Sequence, residues 1–376
     1  MKKIKIIFLI LFLGFFCPFH SYAEIIKEKE TTNENSHFNI FLDFSNNINS
    51  IVKKEFSEGS HFSEDYLNLE GIGKVNDKIS YRFAKQFKKI ENSEILDLAY
   101  LKYKWNDQLY LLFGKQPFSF GSMEYANSLY EHVYRYSHVH KNRNNSIGLS
   151  FIYLPIKDHE LQFQILNGMK NNKENMVQMV QNVNHPMGYS VNWNWSLSNH
   201  NKSIQNRWSY SIFQENENKK FWKLLALGSK LNCNPFTIEA DYIFSDEDIE
   251  KNGNITKILR SCNNDYKHTA SVKYETYLVK LKYNFIPKWN LIAKGVYEIG
   301  TSKKGINDVL GENKLFKKAY SYYGGIEFLP IIKSDDLSFH LVYQNQIINY
   351  ILDTIKKENQ NNHFLVLGLS YRIKMI

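Results

Sequence analysis

Apolar and polar residues alternate with period two along most of this chain, the signal of strands with two unlike faces. Phe38, Ile40, Leu42 and Phe44 alternate with Asn39, Phe41, Asp43 and Ser45. Leu67, Leu69, Gly71, Gly73 and Val75 alternate with Tyr66, Asn68, Glu70, Ile72 and Lys74; Asn76-Asp77 follows, and Ile79, Tyr81, Phe83 and Phe87 resume against Ser80, Arg82, Gln86 and Lys88. Two such runs joined by turn-forming residues predict a hairpin. The last segment is the cleanest: Leu365, Leu367, Leu369, Tyr371, Ile373 and Met375 on one face, Phe364, Val366, Gly368, Ser370, Arg372 and Lys374 on the other. A lipid-facing Lys or Arg costs about 2–4 kcal/mol at the bilayer midplane, so Arg372 and Lys374 belong inside. By the same phase Tyr277, Val279, Leu281, Tyr283 and Phe285 face out and Lys280 and Lys282 in. Likewise Ala99, Leu101, Tyr103 and Trp105 face out and Lys102 and Lys104 in.

The connections alternate in length. Short ones are expected at Asn76-Asp77, Asn106-Asp107, 155–158, 197–202, Asn234-Pro235, Pro287-Lys288 and 333–336. Longer ones are expected at 46–64, 117–145, 168–186, 246–266, 300–317 and 353–360, with smaller members near Ile90 and Glu215. This rhythm predicts an all-β fold, a transmembrane antiparallel barrel of about 16 strands with short periplasmic turns and long extracellular loops. Closure pairs every backbone N–H and C=O between strands, which is what allows a sheet in lipid.

Composition agrees. Aromatic residues make up 15% of the 376, while mean hydropathy is only −0.44, as expected when only every second residue meets lipid. The tryptophans at 105, 193, 195, 208, 222 and 289 mostly lie near predicted turns, fitting interfacial girdles. Lys2, Lys3 and Lys5, the apolar run Ile6–Phe16 and Ser21-Tyr22-Ala23 have the layout of a secretory signal. Residues 1–23 are therefore expected to be cleaved, leaving 24–376 as an outer-membrane barrel. A retained anchor is the alternative, though the run is short for a span of about 20 residues. Cys17 does not mark a lipoprotein, because Phe15 and Phe16 stand where small residues would be needed. The net charge is +9; loss of 1–23 removes three lysines and no acid, leaving about +6. Export argues against nucleic acid as the partner of this basicity, leaving lipid and small anionic or neutral solutes. Cys233 and Cys262 fall at opposite ends of the expected barrel, too far apart for a disulfide.

Gly114-Lys115-Gln116-Pro117-Phe118 and Gly121-Ser122-Met123-Glu124 resemble a segment of the phosphate-selective porin O/P family that ends the fifth strand and enters the third loop. The preceding stretches 97–108 and 67–83 are also similar to the family pattern, so the likeness is clear over roughly 65–130 and beyond that rests on rhythm and length. The resemblance implies a 16-stranded homotrimeric barrel whose third loop, here about 116–145, folds inward to narrow the pore. Family members bind their anion with a ladder of arginines and lysines. Here only six arginines occur (82, 135, 143, 207, 260 and 372), and no motif aligns them with such a ladder. The chain also ends in Ile376 rather than the terminal Phe common in outer-membrane barrels.

Rings of Lys and Arg are the usual device of anion pores. Side-chain phase places Lys74, Arg82, Lys102, Lys104, Arg207, Lys280, Lys282, Arg372 and Lys374 inward, mostly near the short turns. Lys115 at the entrance to the third loop, with Arg135 and Arg143 within it, completes the candidate path. The competing reading has these cations solvated at the rim and paired with acids such as Glu70 or Asp97. His132, His138 and His140 read as exposed loop residues rather than a zinc site, which needs four placed ligands. Asp246, Glu247, Asp248 and Glu250 read as a solvated loop rather than a calcium site. No spacing points to a nucleophile and base, so no enzyme and no cofactor is expected. The expectation is a passive porin for small hydrophilic solutes with an anion preference, phosphate-like ions included. The alternative is a non-conducting barrel whose long loops make it an adhesin or surface receptor.

Overall fold

A computed structural model of the chain describes residues 38–376 except 53–56, 63–65, 88–95, 125–144, 169–186, 200–201, 217–219, 263–268, 304–312, 332–333 and 352–358. The strands are β1 (Phe38–Val52), β2 (Ser57–Phe62), β3 (Tyr66–Asn76), β4 (Ile79–Phe87), β5 (Leu98–Lys104), β6 (Leu109–Gln116), β7 (Ser146–Tyr153), β8 (His159–Asn167) and β9 (Met187–Asn199). They continue as β10 (Lys202–Asn216), β11 (Lys220–Cys233), β12 (Phe236–Glu247), β13 (Val272–Ile286), β14 (Trp289–Ser302), β15 (Leu315–Phe328), β16 (Leu337–Tyr350) and β17 (Gln360–Lys374). One helix is described, α1 (Asn254–Cys262), between β12 and β13.

Every strand pairs antiparallel with its neighbours, and β1 closes the sheet against β17 from Phe41↔Lys374 to Ile51↔Phe364. The other edge of β1 pairs first with β3 (Phe38↔Gly73 to Ser45↔Tyr66) and further along with β2 (Ile48↔Phe62). These two segments occupy one position around the wall, so the 17 segments build a closed barrel of 16 staves. The region 46–64, expected as a loop, is therefore mostly an extended hairpin.

The turns follow from local chemistry. Asn76 Oδ1 accepts from the N–H groups of Lys78 and Ile79, both at 2.9 Å. Asn106 Oδ1 repeats the device on Gln108 and Leu109 at 2.9 and 2.7 Å. An asparagine that satisfies its own turn in this way pins the register of the hairpin. The connections at 77–78, 234–235 and 287–288 all lie at one end of the barrel. The opposite end carries the long connections 117–145, 168–186, 248–271 and 303–314, and the short ones 53–56 and 217–219.

The outward phase is the expected one. On the β12–β15 side two aromatic rows run across the strands. The row near the short turns includes Phe236 with Tyr283 (4.7 Å between ring centroids) and Trp289 with Phe328 (4.4 Å). Nearer the long loops, Tyr242, Tyr277, Tyr297 and Tyr320 face one another directly on successive strands. From Trp289 to Tyr297 is eight residues, about 20 Å of height for strands rising about 3.3 Å per residue at a tilt near 40°. That is close to the apolar band of about 25 Å typical of such barrels. Trp105, Trp193 and Trp289 stand exposed at the short-turn end. Trp222 departs from the girdle expectation: it points inward and is fully buried.

Candidate functional site in the barrel lumen

The chain leaves the wall at Gln116 and runs inward along the inner face of β8–β12. Phe118 and Phe120 pack against apolar side chains of the wall, and Ser119 between them reaches its polar groups. The two rings pack with Leu166, Phe213, Trp222, Leu224, Ala226 and Ile243 into a buried apolar cluster on the inward face. Burying side chains of this size stabilises by about 1.5–3 kcal/mol each. Ser119 N–H donates to Gln164 Oε1 at 2.7 Å and Ser119 Oγ to Gln162 Oε1 at 2.9 Å. Gly121 N–H donates to Ser209 Oγ at 2.8 Å. The Asp241 carboxylate then accepts three bonds: from Ser122 Oγ (2.7 Å), Met123 N–H (2.7 Å) and Glu124 N–H (3.0 Å). Glu124 finally pairs with Lys294 of β14.

Two glycines permit this close approach. A Cβ on Gly228 would lie 2.5 Å from the Gly121 carbonyl oxygen and 2.8 Å from the Met123 nitrogen. One on Gly121 would lie 2.6 Å from the Ser209 nitrogen. Both sets of obstructing atoms are backbone, so the fit has no slack. The loop is folded inward over 117–124; the rest of 116–145 lies outside the described residues.

The wall charges form pairs ordered by depth. Near the short turns, Glu70 bridges Arg82 (Nε–Oε1 2.5 Å) and Arg372 (Nη2–Oε2 2.7 Å), and Arg372 also reaches Asp43 at 3.2 Å. These four residues sit on β4, β3, β17 and β1 and span the seam where the first and last strands meet. Glu239 takes Lys230 (3.3 Å) and Lys280 (3.7 Å), and Glu327 takes Lys282 (2.5 Å). The side chains of Arg82, Arg372, Lys230 and Lys282 are 29–33% exposed, whereas those of Glu70, Glu239 and Glu327 are 3–4% exposed. The acids lie against the wall and the cations stand over them toward the lumen. Two rings join the pattern: the Arg372 guanidinium lies 4.3 Å from the Phe41 centroid and the Lys102 ammonium 5.0 Å from that of Tyr110. Toward the long loops the Lys294–Glu124 and Lys251–Glu215 pairs are buried on both sides, and a half-buried Lys317 meets the buried Glu298.

The residues read from the sequence land as follows. Register puts Lys74, Arg82, Lys102, Lys104, Lys280, Lys282, Arg372 and Lys374 on the inward face toward the short turns. Lys104 pairs with Asp107 at 2.6 Å. Arg207 faces inward on β10, beneath the crossing segment and within electrostatic reach of Asp241 and Glu160. Lys115 does not face the lumen. It opposes Ala99 and Ile147 on the outward side, and its Nζ donates to the Leu96 carbonyl at 2.6 Å. The alternation of β6 runs unbroken through this point: Phe113 and Lys115 face out, while Leu112 and Gln116 are buried on the inner side. Arg135, Arg143, His132, His138 and His140 lie outside the described residues. Lys230, Lys294 and Lys317 and their acids were missed; comparing residues directly across neighbouring strands would have found several of them.

The acidic stretch 246–250 is not solvated. Glu250 accepts from the Ile255 and Thr256 N–H groups (2.8 Å each), capping α1, and Glu247 accepts from Lys251 N–H at 2.9 Å. Asp246 and Asp248 both hold Lys303. Burial works to raise the Asp248 carboxyl, but Lys303 and the Phe221 N–H outweigh it and hold the group below its ordinary value. Ile255 and Leu259 of α1 pack with Val272, Tyr274 and Phe316 in a second buried cluster. Among the described residues no group of three or more His, Cys, Asp or Glu could hold a metal ion.

No curated protein sequence matches the chain significantly. Solved structures do. The outer-membrane channel DcaP of Acinetobacter baumannii superposes with a TM-score of 0.60 at 12% identity, covering 89% of this chain and 97% of that one. OmpT of Vibrio cholerae, described in a trimer form, gives 0.53 at 10% identity over 89% and 99%. An anion-selective porin from Comamonas acidovorans gives 0.51 at 10% identity over 89% and 99%. At these identities the likeness is one of fold, and it is the sequence model of phosphate-selective porin O and P, matching residues 36–373, that fixes the affiliation: the chain belongs to that porin family.

Proposed function

We propose that this porin is a passive outer-membrane channel for small hydrophilic solutes with a preference for anions, phosphate-like ions among them, and that it has no catalytic role. The observation that carries the preference is the depth order of the wall charges. Pairing alone would leave the wall electrically bland. With Glu70, Glu239 and Glu327 buried and Arg82, Arg372, Lys230 and Lys282 above them, a solute meets the cation first. The low-dielectric wall behind concentrates that field toward the lumen. Guanidinium groups present planar donors suited to oxyanions, and Arg82 and Arg372 sit within one cluster. The crossing segment 117–124 supplies the narrowing.

The reading includes export by cleavage of residues 1–23, periplasmic short turns and assembly as a homotrimer among outer-membrane lipids. The trimer is supported by the family resemblance and by the Vibrio cholerae neighbour described in that form. The test is single-channel conductance of purified, refolded protein in a planar bilayer, with a reversal potential measured across a salt gradient. An anion-selective conductance is expected. A cation-selective one overturns the anion preference. A silent barrel overturns the pore and favours the adhesin or surface-receptor alternative, in which the long loops do the work.

A further inference from the structure

The inner wall of a water-filled barrel is polar, yet toward the long loops the inner face of β13 to β16 is not. Val272 and Tyr274 of β13 and Phe316 of β15 form an apolar cluster, each no more than 2% exposed, and Tyr350 of β16 packs against it. On β13 the alternate residues Lys273, Glu275 and Tyr277 take the outward phase, so Val272 and Tyr274 point to the lumen. Gly300 lies directly across from Tyr274 on β14 and makes room for the Phe316 ring: a Cβ there would stand 2.7 Å from two of its carbons. What covers this apolar face is α1. Its Ile255 and Leu259 are buried in the same cluster and Ile258 packs at the edge. The helix therefore lies inside the barrel mouth, laid along the inner wall.

The chain leading into α1 is fixed to the tops of β10 and β11. Asp248 N–H donates to the Phe221 carbonyl at 3.0 Å and Phe221 N–H to Asp248 Oδ2 at 2.8 Å. Ile249 N–H donates to Glu215 Oε2 at 3.2 Å. Lys251 pairs with Glu215, and its ammonium stands 5.0 Å from the centroid of a Trp222 ring. Trp222 belongs to the cluster that seats Phe118 and Phe120, so one indole supports both inward elements. Glu250 N–H to the Ala270 carbonyl (2.8 Å) and Ala270 N–H to Thr256 Oγ1 (3.0 Å) close the connection on itself. Sixteen staves about 4.8 Å apart at a tilt near 40° enclose a mouth about 32 Å across between backbones. A helix is about 10 Å thick, so α1 takes roughly a third of that width. At about 3.6 residues per turn, Ile255, Ile258 and Leu259 share the wall face, and Lys257 and Arg260 fall on the opposite one. Arg260 makes no ion pair among the described residues, and its Nε is enclosed without an acceptor. The acids nearby are engaged elsewhere: Asp246 and Asp248 with Lys303, Glu250 with the first N–H groups of α1, Glu215 with Lys251.

We infer that the connection carrying α1 is a second narrowing, an outer filter set in the mouth ahead of the crossing segment, and that Arg260 with Lys257 on its lumen face gathers small anions there. Fixed charge in the mouth acts over a screening length of about 10 Å in about 0.1 M salt, a large part of the gap that the helix leaves. The gathering of anions rests on the anion-porin reading; the placement of the filter rests on the packing of α1 alone.

The test is single-channel recording on the full-length mature protein with Cys233→Ser and Cys262→Ser as background. Arg260→Cys, or Lys257→Cys should the first not fold, is exposed to a maleimide carrying a short polyethylene glycol, added to each chamber in turn. A stepwise loss of at least half the conductance is expected on reaction. Lys223→Cys, outward on β11 at the same end of the barrel, is the control and should react without changing the current. Complete reaction at 260, verified by mass, with conductance unchanged would overturn the filter. Arg260→Gln with Lys257→Gln tests the charge: the anion-to-cation permeability ratio should fall at least twofold in about 0.1 M salt and hardly at all in about 1 M, where the screening length is about 3 Å. An unchanged ratio in the dilute salt would overturn the gathering of anions. The failures are separable. A cation-selective channel whose current still drops on reaction at 260 keeps the filter and sinks the anion preference, whereas a barrel silent before any reagent is added sinks the pore and the filter with it.

Discussion

Replacing Asp241 by Asn tests whether the crossing segment is held by one carboxylate. In the native protein one oxygen accepts from Met123 N–H and the other from Ser122 Oγ and Glu124 N–H. An amide presents one oxygen and one NH2 group. With the NH2 toward Glu124, the serine hydroxyl can turn to accept, but the Glu124 N–H loses its acceptor. With the NH2 toward Met123, that N–H is orphaned instead. Either way one buried backbone donor goes unsatisfied, costing about 1–3 kcal/mol, and the surviving bonds lose their charge assistance. Roughly 2–3 kcal/mol of docking free energy should disappear, which at about 1.4 kcal/mol per decade is a 30- to 150-fold rise in the undocked population. The wall's own ladder of hydrogen bonds is untouched, so the barrel should melt as before. The buried Met123, changed to Cys in the Cys233→Ser, Cys262→Ser background, reports the opening. When reclosing is faster than modification, the labelling rate follows the open population. A labelling rate within about threefold of the Asp241 parent, in a folded barrel, would refute the idea that this carboxylate anchors the segment.

Three further outcomes follow from the same geometry. Gly228→Ala places a methyl 2.5 Å from the Gly121 carbonyl oxygen, forcing the segment off the wall by about 1 Å to restore an ordinary contact; single-channel recordings should show altered conductance and a noisier open level, and an unchanged channel would mean that the segment does not narrow the path. Arg82→Gln with Arg372→Gln uncovers Glu70 and Asp43, so the reversal potential should move toward cation selectivity, and a shift the other way would sink the depth-order account. The tie of Asp246 and Asp248 to Lys303 should hold the loop bearing α1 at neutral pH. The Asp248 carboxyl is held below its ordinary 3.8, so its contribution is present above that value and lost as pH falls through the lower folded one. The Lys303 ammonium is raised above 10.5, so its share is lost only as pH rises beyond that. Labelling of Leu259→Cys, at a fully buried position of α1, in the Cys233→Ser, Cys262→Ser background by a disulfide reagent active in acid should therefore accelerate below about pH 4, and a flat profile from pH 3 to 7 would remove the ion cluster as the cause.

Much of the wall was legible in the sequence because lipid is an unforgiving selector. The outward residues of β5, β13 and β17 must be apolar and their neighbours need not be, so period two survives and fixes the phase of Lys102, Lys280 and Arg372 without any structure. The turns were legible through Asn76 and Asn106. What was not legible arises where period two carries no information about the third dimension. Asn46 and Asn47 look like the start of a loop, yet they continue β1, because they pair with Leu369 and Gly368 of β17 and the Asn47 side chain meets the buried His340 inside the barrel. The pairing of Glu239 with Lys230 and Lys280 depends on the register of three strands, which alternation within one strand does not give. The acids at 246–250 look like a solvated patch because their partners, Lys303 and the start of α1, are distant in sequence or buried by folding.

The two places where the ordinary barrel rule inverts are therefore the informative ones, and each inversion has its own cause. Apolar side chains point inward on β11, where Trp222, Leu224 and Ala226 lie back to back with the outward Phe221, Leu225 and Leu227. A strand apolar on both faces has protein or lipid on both sides; since one side of a barrel strand is the lumen, something of the same chain must lie there, and Phe118 and Phe120 do. Charges point outward on β4 to β6, where Lys85, Asp97 and Lys115 stand within the height of the apolar band. Each of these charges is met within its own wall: Lys85 pairs with Asp97 at 3.8 Å, Asp97 also accepts from the Gln86 N–H at 2.6 Å, and Lys115 donates to the Leu96 carbonyl at 2.6 Å. Alternation itself places Lys115 outward, two residues beyond the outward Phe113 and opposite Ala99 and Ile147, so a lysine excluded from the lipid interior need not turn to the lumen: its ammonium reaches the Leu96 carbonyl along the wall.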